Sequence, residues 1–164
     1  GFLRKGQRGG FFTREITRRE LIDAVEFRIV LEAAALRLAA HKALPEEVAL
    51  LKQIASQMQS KAQAGQPASL FHADRQFHSA IVKIARNPGL EQAFRNLSLP
   101  LSWAIRKSQS LEKNALLAIA EDHLFLIETV FKQKQLNALA DLLLGHIEKE
   151  LVQPLRDDIA YFAH

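Results

Sequence analysis

The segment FHADRQFHSAI, residues 71–81, is apolar at both ends and carries Asp74 and His78 four residues apart. On a helix that spacing puts both side chains on one face, one turn apart, so a carboxylate and an imidazole can converge on one point. Two more histidines take comparable places downstream. His123 shares a stripe with Leu116, Ile119, Ala120, Ile127 and Val130, and His146 shares one with Leu136, Leu139, Leu143 and Ile147. Burying a carboxylate or an imidazole is costly unless something satisfies it. One divalent ion would satisfy all four groups: an Asp oxygen and three imidazole nitrogens suit zinc first, with nickel, manganese or iron(II) as alternatives. Sites inside helical bundles are commonly built this way, from side chains on facing helices. Taken singly, each residue has a plainer reading. A lone histidine on an apolar stripe is usually a hydrogen-bonded core residue, and Asp74 and His78 alone could simply pair. The coincidence of three inward histidines on three different helices, one beside an aspartate, favours the ion. His41, His72 and His164 fall on outer or terminal positions and read as solvated.

Several chemistries are excluded by what is missing. The paired Glu-x-x-His motifs of di-iron bundles and the His-Glu-x-x-His of zinc proteases are absent. The helical region has no Gly-rich phosphate loop and no nucleophile elbow. A mononuclear Asp/His3 site with open positions can still activate water. A metal-dependent enzyme acting on a small carboxylate is therefore the rival reading. No general base presents itself, because Glu121 and Asp122 flank His123 but point away from it on a helical wheel.

The elements that must position these groups are helices. TRRE, residues 17–20, has the form of a capping box, and the stripe Leu21, Val25, Ile29, Leu36, Ala39 continues from it to about residue 40. Pro45 starts a second helix, ended by Gly65-Gln66-Pro67. A third is predicted over about residues 68–86, and Asn87-Pro88-Gly89 breaks it. The remaining three are expected over about residues 89–110, 113–132 and 135–162, with Pro100 kinking the fourth and Pro154 bending the last. Short connections imply an all-α antiparallel bundle of about six helices. In front of it, the Gly-rich turn GQRGG between GFLRK and FFTREI reads as a remnant β-hairpin.

Composition is that of one globular domain: 164 residues, 48% hydrophobic and 24% charged. Cysteine is absent, which excludes disulfides and thiolate metal sites, and no apolar run is long enough to span a bilayer. A cytoplasmic protein is expected. The net charge of +4 is uneven: six cations in residues 1–19 face only Glu15, so a basic arm precedes a near-neutral body. Such an arm points to a polyanion, nucleic acid first, or to a merely solvated terminus.

VEFRIVLEAAALRLAA (25–40), DRQFHSAIVKIARNP (74–88), DHLFLIETV (122–130) and LLLGHIEKE (142–150) together resemble the FCD effector domain of FadR-subfamily, GntR-family transcription regulators. The helix count is similar to the VanR-like branch. The resemblance implies that Asp74, His78, His123 and His146 bind a metal at the floor of a cavity. It also implies that a small carboxylate effector, such as an organic, hydroxy or sugar acid, completes the coordination. Arg28 stands where the family's first helix often meets the effector, although it could merely pair with Glu32; Arg106 and Gln109 are weaker effector candidates. Residues 1–16 resemble the wing and linker that end a winged-helix DNA-binding domain, so Arg4, Lys5 and Arg8 would contact operator phosphates. Residues 17–164 would form the sensing and homodimerisation domain. Phe11-Phe12 departs from the family's usual aromatic followed by valine.

Overall fold

The computed structural model describes residues 3–5, 11–13, 17–107, 112–137 and 139–147; both strands and residues 98–107 are described by backbone alone. Strands β1 (Leu3–Lys5) and β2 (Phe11–Thr13) pair antiparallel in the register Arg4 opposite Phe12, which is the expected hairpin. Helix α1 (Arg18–Lys42) opens on the anticipated capping box. Thr17 Oγ1 accepts from the Glu20 N–H at 3.2 Å, and Glu20 Oε2 accepts from the Thr17 N–H at 3.0 Å. Two of the helix's orphan donors are thereby satisfied.

Helix α2 (Pro45–Gln63) begins with proline at its first turn, and Glu47 closes that turn by accepting from the Leu44 N–H at 2.9 Å. Its end is set by Gly65 at φ +63°, a conformation that costs a residue with a Cβ about 1–2 kcal/mol. The bonds Gln66 N–H to Lys61 O at 2.9 Å and Gly65 N–H to Ala62 O at 3.0 Å form a Schellman cap. Pro67 then starts α3 (Pro67–Ile84) directly after the three-residue connection 64–66. After α3, Arg86 turns the chain at φ +49°, and what holds it there is long-range. Its guanidinium donates to Lys42 O at 2.9 Å and to both Glu47 oxygens at 3.0 Å. Lys42 Nζ returns a bond to Ala85 O at 2.7 Å, so the ends of α1 and α3 are tied together.

Helix α4 (Pro88–Lys107) is capped by Asn87 Oδ1, which accepts from the Gly89 and Leu90 N–H groups at 3.0 and 3.3 Å, and the helix continues through Pro100. Helix α5 (Lys113–Ile127) widens at its end into a π turn, Glu128–Lys132, closed by Gln133 N–H to Glu128 O at 2.9 Å. The expected start of the last helix at Gln135 is corrected: α6 covers Leu139–Ile147. Lys134 sits at φ +57° and ends the helical path, while Lys134 Nζ donates to Ala40 O at 2.5 Å.

Helix α3 lies at the centre, packed against α1, α2, α4 and α5, while α1 also meets α4 and α6. The predicted stripes are the core: Leu36, Leu51, Met58, Phe77, Ile81, Leu116, Ile119, Leu143 and Ile147 are all fully buried. Each large side chain so buried contributes about 1.5–3 kcal/mol. No described helix is long and apolar enough to cross a membrane.

Candidate metal centre

The polar residues predicted on the inner stripes meet in one place. Asp74 and His78 come from α3, His123 from α5 and His146 from α6, and all four are buried. One ligand atom from each lies within 4.8 Å of all the others. Asp74 Oδ1 is 2.9 Å from His123 Nε2, 3.4 Å from His78 Nε2 and 4.0 Å from His146 Nε2. The His78 ring nitrogen Nε2 stands 3.2 Å from that of His146 and 3.3 Å from that of His123. Phe77 walls the cluster, its ring meeting His78 and His123 edge-on.

The outward nitrogens decide what the inward ones can do. His123 Nδ1 lies 2.8 Å from Ile119 O, which only accepts, so the ring carries its proton on Nδ1. The Glu32 carboxylate is in contact with His78 Nδ1 and imposes the same tautomer there. Asp122 Oδ2 lies 3.8 Å from His146 Nδ1 and favours it again. With the three rings neutral, as a bound metal requires, their Nε2 lone pairs converge on a carboxylate oxygen, and Asp74 Oδ1 has no well-formed hydrogen bond, despite the short approach of His123. Four lone pairs facing one another repel unless a cation lies among them. The donor set is one that borderline divalent ions accept, with outer-shell partners of the kind that orient metal-binding histidines.

Without a metal, the surrounding charges place a proton on His78, which an entering divalent ion would displace. Arg28, only 3% exposed, donates from Nε to Glu32 Oε1 at 2.6 Å and places Nη2 3.8 Å from Asp74 Oδ2. Burial pushes the Glu32 carboxyl up, but Arg28 and His78 overcome this and bring it to about 2. Asp74 is likewise opposed by burial and held well below the usual carboxylate range by His78 and His123. Burial disfavours charge on His78, yet Glu32 and Asp74 raise it to about 10; burial and the charge of His123 lower His146 to about 4.

Among the other predicted residues, Arg28 does lie toward the core and also makes the anticipated pair with Glu32. His41 and His72 are exposed as expected, and His164 lies outside the described residues. Arg106 is on α4, and Arg4 and Lys5 are on β1, all described by backbone alone; Gln109 and Arg8 lie outside the described residues. Two contributors escaped the sequence reading. Glu32 was seen only as a mate for Arg28, and Asp122 was judged by its direction from His123 although it faces His146.

Comparison with known proteins gives this arrangement its setting. Residues 23–149 match the FCD domain family. The chain is 29% identical over 157 residues to the Nta operon transcriptional regulator of Aminobacter aminovorans, covering 94% of this chain and 71% of that protein. Its fold is similar to E. coli McbR/YncC, with a TM-score of 0.85 at 18% identity over 94% of this chain and 73% of that one. It is also similar to Streptococcus agalactiae GntR, with a TM-score of 0.69 at 20% identity over 93% and 75% of the two chains. The family match and the transcriptional regulator among these relatives set aside the rival reading of a metal-dependent enzyme. The chain belongs to the FCD domain family, the effector-sensing part of GntR-family transcription regulators.

Proposed function

We infer that the chain senses a small carboxylate at a divalent metal held by Asp74, His78, His123 and His146, zinc being the preferred ion. The observation that carries this reading is the convergence of three Nε2 lone pairs on Asp74 Oδ1 inside a buried cage. Formal charge supports an anionic effector. Arg28, Glu32 and Asp74 sum to −1 at the buried centre, and a divalent ion reverses that sign to +1. Such an ion offers a Lewis-acidic anchor to a carboxylate oxygen. Asp74 and the three imidazoles hold its inner side, Arg28 adds a neighbouring positive charge, and Arg106 and Gln109 remain the weaker effector candidates.

Effector binding would act by favouring one of two arrangements of the bundle, since a ligand shifts an equilibrium only through its differential affinity. In this reading residues 1–16 end a winged-helix domain, with Arg4, Lys5 and Arg8 on operator phosphates. Residues 17–164 sense the ligand and form a homodimer, in a cytoplasmic regulator. The test is elemental analysis of the purified chain beside Asp74→Ala and His146→Ala. Near-stoichiometric metal in the parent, lost in both variants, is expected, followed by thermal shifts with a library of organic, hydroxy and sugar acids. A parent that neither carries nor takes up a divalent ion would refute the site.

A further inference from the structure

The outward side of α3 floors a cleft that is separate from the cage. Arg75, Ser79 and Lys83 line it at steps of four residues, each one turn from the next on one side of the helix. Arg75 and Ser79 directly follow Asp74 and His78 in the chain, but Asp74 and His78 are buried whereas Arg75 is exposed. Cleft and cage therefore use different sides of one helix. Helix α2 forms one wall with Leu50, Gln53 and Gln57, and α4 forms the other with Phe94 and Arg95. The cleft encloses about 790 Å³, the size of a small-molecule site.

Charge selects the kind of ligand. No carboxylate lines the cleft, and three cations do. Arg95 is already shared with Glu91 Oε2 at 3.6 Å and Gln92 Oε1 at 3.0 Å. The Arg75 guanidinium and the Lys83 ammonium have no hydrogen-bond or ion-pair partner among the described residues. The Ser79 hydroxyl is equally uncommitted there, although Ser56 and Ser60 on α2 bond back to the carbonyls four residues earlier at 2.9 and 3.1 Å. Arg75 and Lys83 stand about 12 Å apart along the axis, by the rise of an α-helix, with Ser79 midway. Their long side chains can close on a group above Ser79, and Arg95 faces the same space from α4. A carboxylate presents two oxygens in one plane. A phosphate monoester presents three around a tetrahedral centre and carries about −1.5 to −2 in charge, which suits donors arriving from both ends of the floor and from the opposite wall. The other lining groups suit the body of such a molecule. The carboxamides of Gln53, Gln57 and Gln76 make no hydrogen bond among the described residues and offer donors and acceptors alike. Leu50 is 48% exposed beside them, and Phe94 is half-buried. A sugar or a nucleoside has both the polar edge and the apolar face that these residues complement.

We propose that the cleft between α2, α3 and α4 binds a phosphate monoester of a polar small molecule, its phosphate held over Ser79 by Arg75, Lys83 and Arg95 and its body lying along the glutamines. The site does not depend on an ion in the cage. The 164-residue chain is titrated calorimetrically with glucose 6-phosphate, adenosine 5′-monophosphate and inorganic phosphate at about 0.15 M salt, where exposed charges more than about 8 Å apart are largely screened. Arg75→Ala, Lys83→Ala and the exposed control Lys113→Ala are titrated beside it. One ester is expected to bind more tightly than inorganic phosphate, and whichever does so identifies the body as sugar or nucleoside. Arg75→Ala and Lys83→Ala should each weaken that ester about tenfold or more, as loss of a hydrogen bond to a charged group does. Lys113→Ala should leave it unchanged. The three substituted side chains are exposed, so the variants should fold as the parent does. Esters that bind no better than inorganic phosphate would overturn the assignment. So would binding that survives Arg75→Ala and Lys83→Ala, or that falls as far in Lys113→Ala; the cleft would then be a solvated basic face.

Discussion

Glu32 offers the sharpest test of how the centre is organised. Its two oxygens do different jobs: Oε1 accepts from Arg28 Nε, and Oε2 meets His78 Nδ1. Both partners are donors, and a carboxylate can accept from both. The isosteric Glu32→Gln cannot, because an amide has one acceptor oxygen and one donating nitrogen. If the oxygen turns to Arg28, the amide N–H groups face His78 Nδ1, the ring moves its proton to Nε2, and a metal ligand is lost. If the oxygen turns to His78, the amide N–H groups face the guanidinium of Arg28. Losing such an outer-shell carboxylate typically lowers metal affinity about 10–100-fold, which is about 1.4–2.8 kcal/mol. At saturating metal the stabilisation of the fold by the ion shrinks by the same amount. Without metal, unbalancing the buried Arg28 should cost a further 3–5 kcal/mol or thereabouts, roughly what breaking a buried ion pair costs. Competition against a chromophoric chelator measures the first quantity, and urea unfolding with excess chelator measures the second. Asp122→Asn is the internal control. Its carboxylate is 3.8 Å from His146 Nδ1 and partly exposed, and an amide oxygen can replace it, so the loss should be only a few-fold. An affinity for Glu32→Gln within about threefold of the parent would refute the orienting role, being far below the usual outer-shell effect.

Three further outcomes follow from other parts of the fold. Phe77→Ala removes a fully buried ring that also walls His78 and His123, and should cost about 3–5 kcal/mol in chemical unfolding. Gly65→Ala meets no atom within 4 Å of the new Cβ, so its expected cost of about 1–2 kcal/mol is backbone strain alone. A neutral result in thermal unfolding would show that the α2–α3 corner relaxes. The Glu47 carboxyl is held below its ordinary value chiefly by the Leu44 N–H; burial opposes this, and Arg86 assists the lowering. Its folded-state value lies below its unfolded one, so this contribution is present above about pH 4.5, the ordinary value, and is lost as pH falls through the lowered one. The protection factor of the Leu44 amide, taken relative to its intrinsic exchange rate at each pH, should fall over that acidic range in the parent and be low throughout in Glu47→Ala.

The buried Asp/His cluster was legible because it breaks a rule. Asp74, His78, His123 and His146 are polar residues at positions where helical periodicity demands leucine, and that conflict is visible without knowing which helices touch. Glu32 and Asp122 break no such rule. Glu32 stands four residues from Arg28, and a surface ion pair would look the same in sequence; only the crossing of α1 over α3 turns it onto His78. Asp122 lies well off the direction of His123 on their shared helix, but its partner belongs to α6. Helix ends divide in the same way. The stop at Gly65 was readable because a glycine before a proline supplies both the left-handed residue and the break. Arg86 and Lys134 adopt the left-handed region without being glycine. They do so where bonds to Lys42 and Glu47, and to Ala40, hold the chain from elsewhere in the bundle. The start of α6 was therefore set four residues too early.

Helix α1 joins the candidate site to its own outer face. Arg28 and Glu32 turn inward to the metal cage, while Phe27 and Val30, their close neighbours along the chain, turn outward. A helix is stiff along its axis, so a rotation or shift that re-seats Arg28 and Glu32 cannot leave Phe27 and Val30 where they were. An anionic effector at the ion would change the charge felt by Arg28, and Arg28 can answer only by moving the helix or by changing how it shares itself between Glu32 and Asp74. The first answer carries the outer face of α1 with it; the second does not. Driving a two-state equilibrium from 1:99 to 99:1 needs a differential affinity of about 10,000-fold, or about 5.5 kcal/mol. A buried charge interaction of the kind that links Arg28 to Glu32 is of that order when broken, whereas a surface contact is not. The burial of Arg28 on a long helix beside the candidate cage is thus what, in the proposed reading, would let a small ligand alter the spacing of two DNA-binding heads.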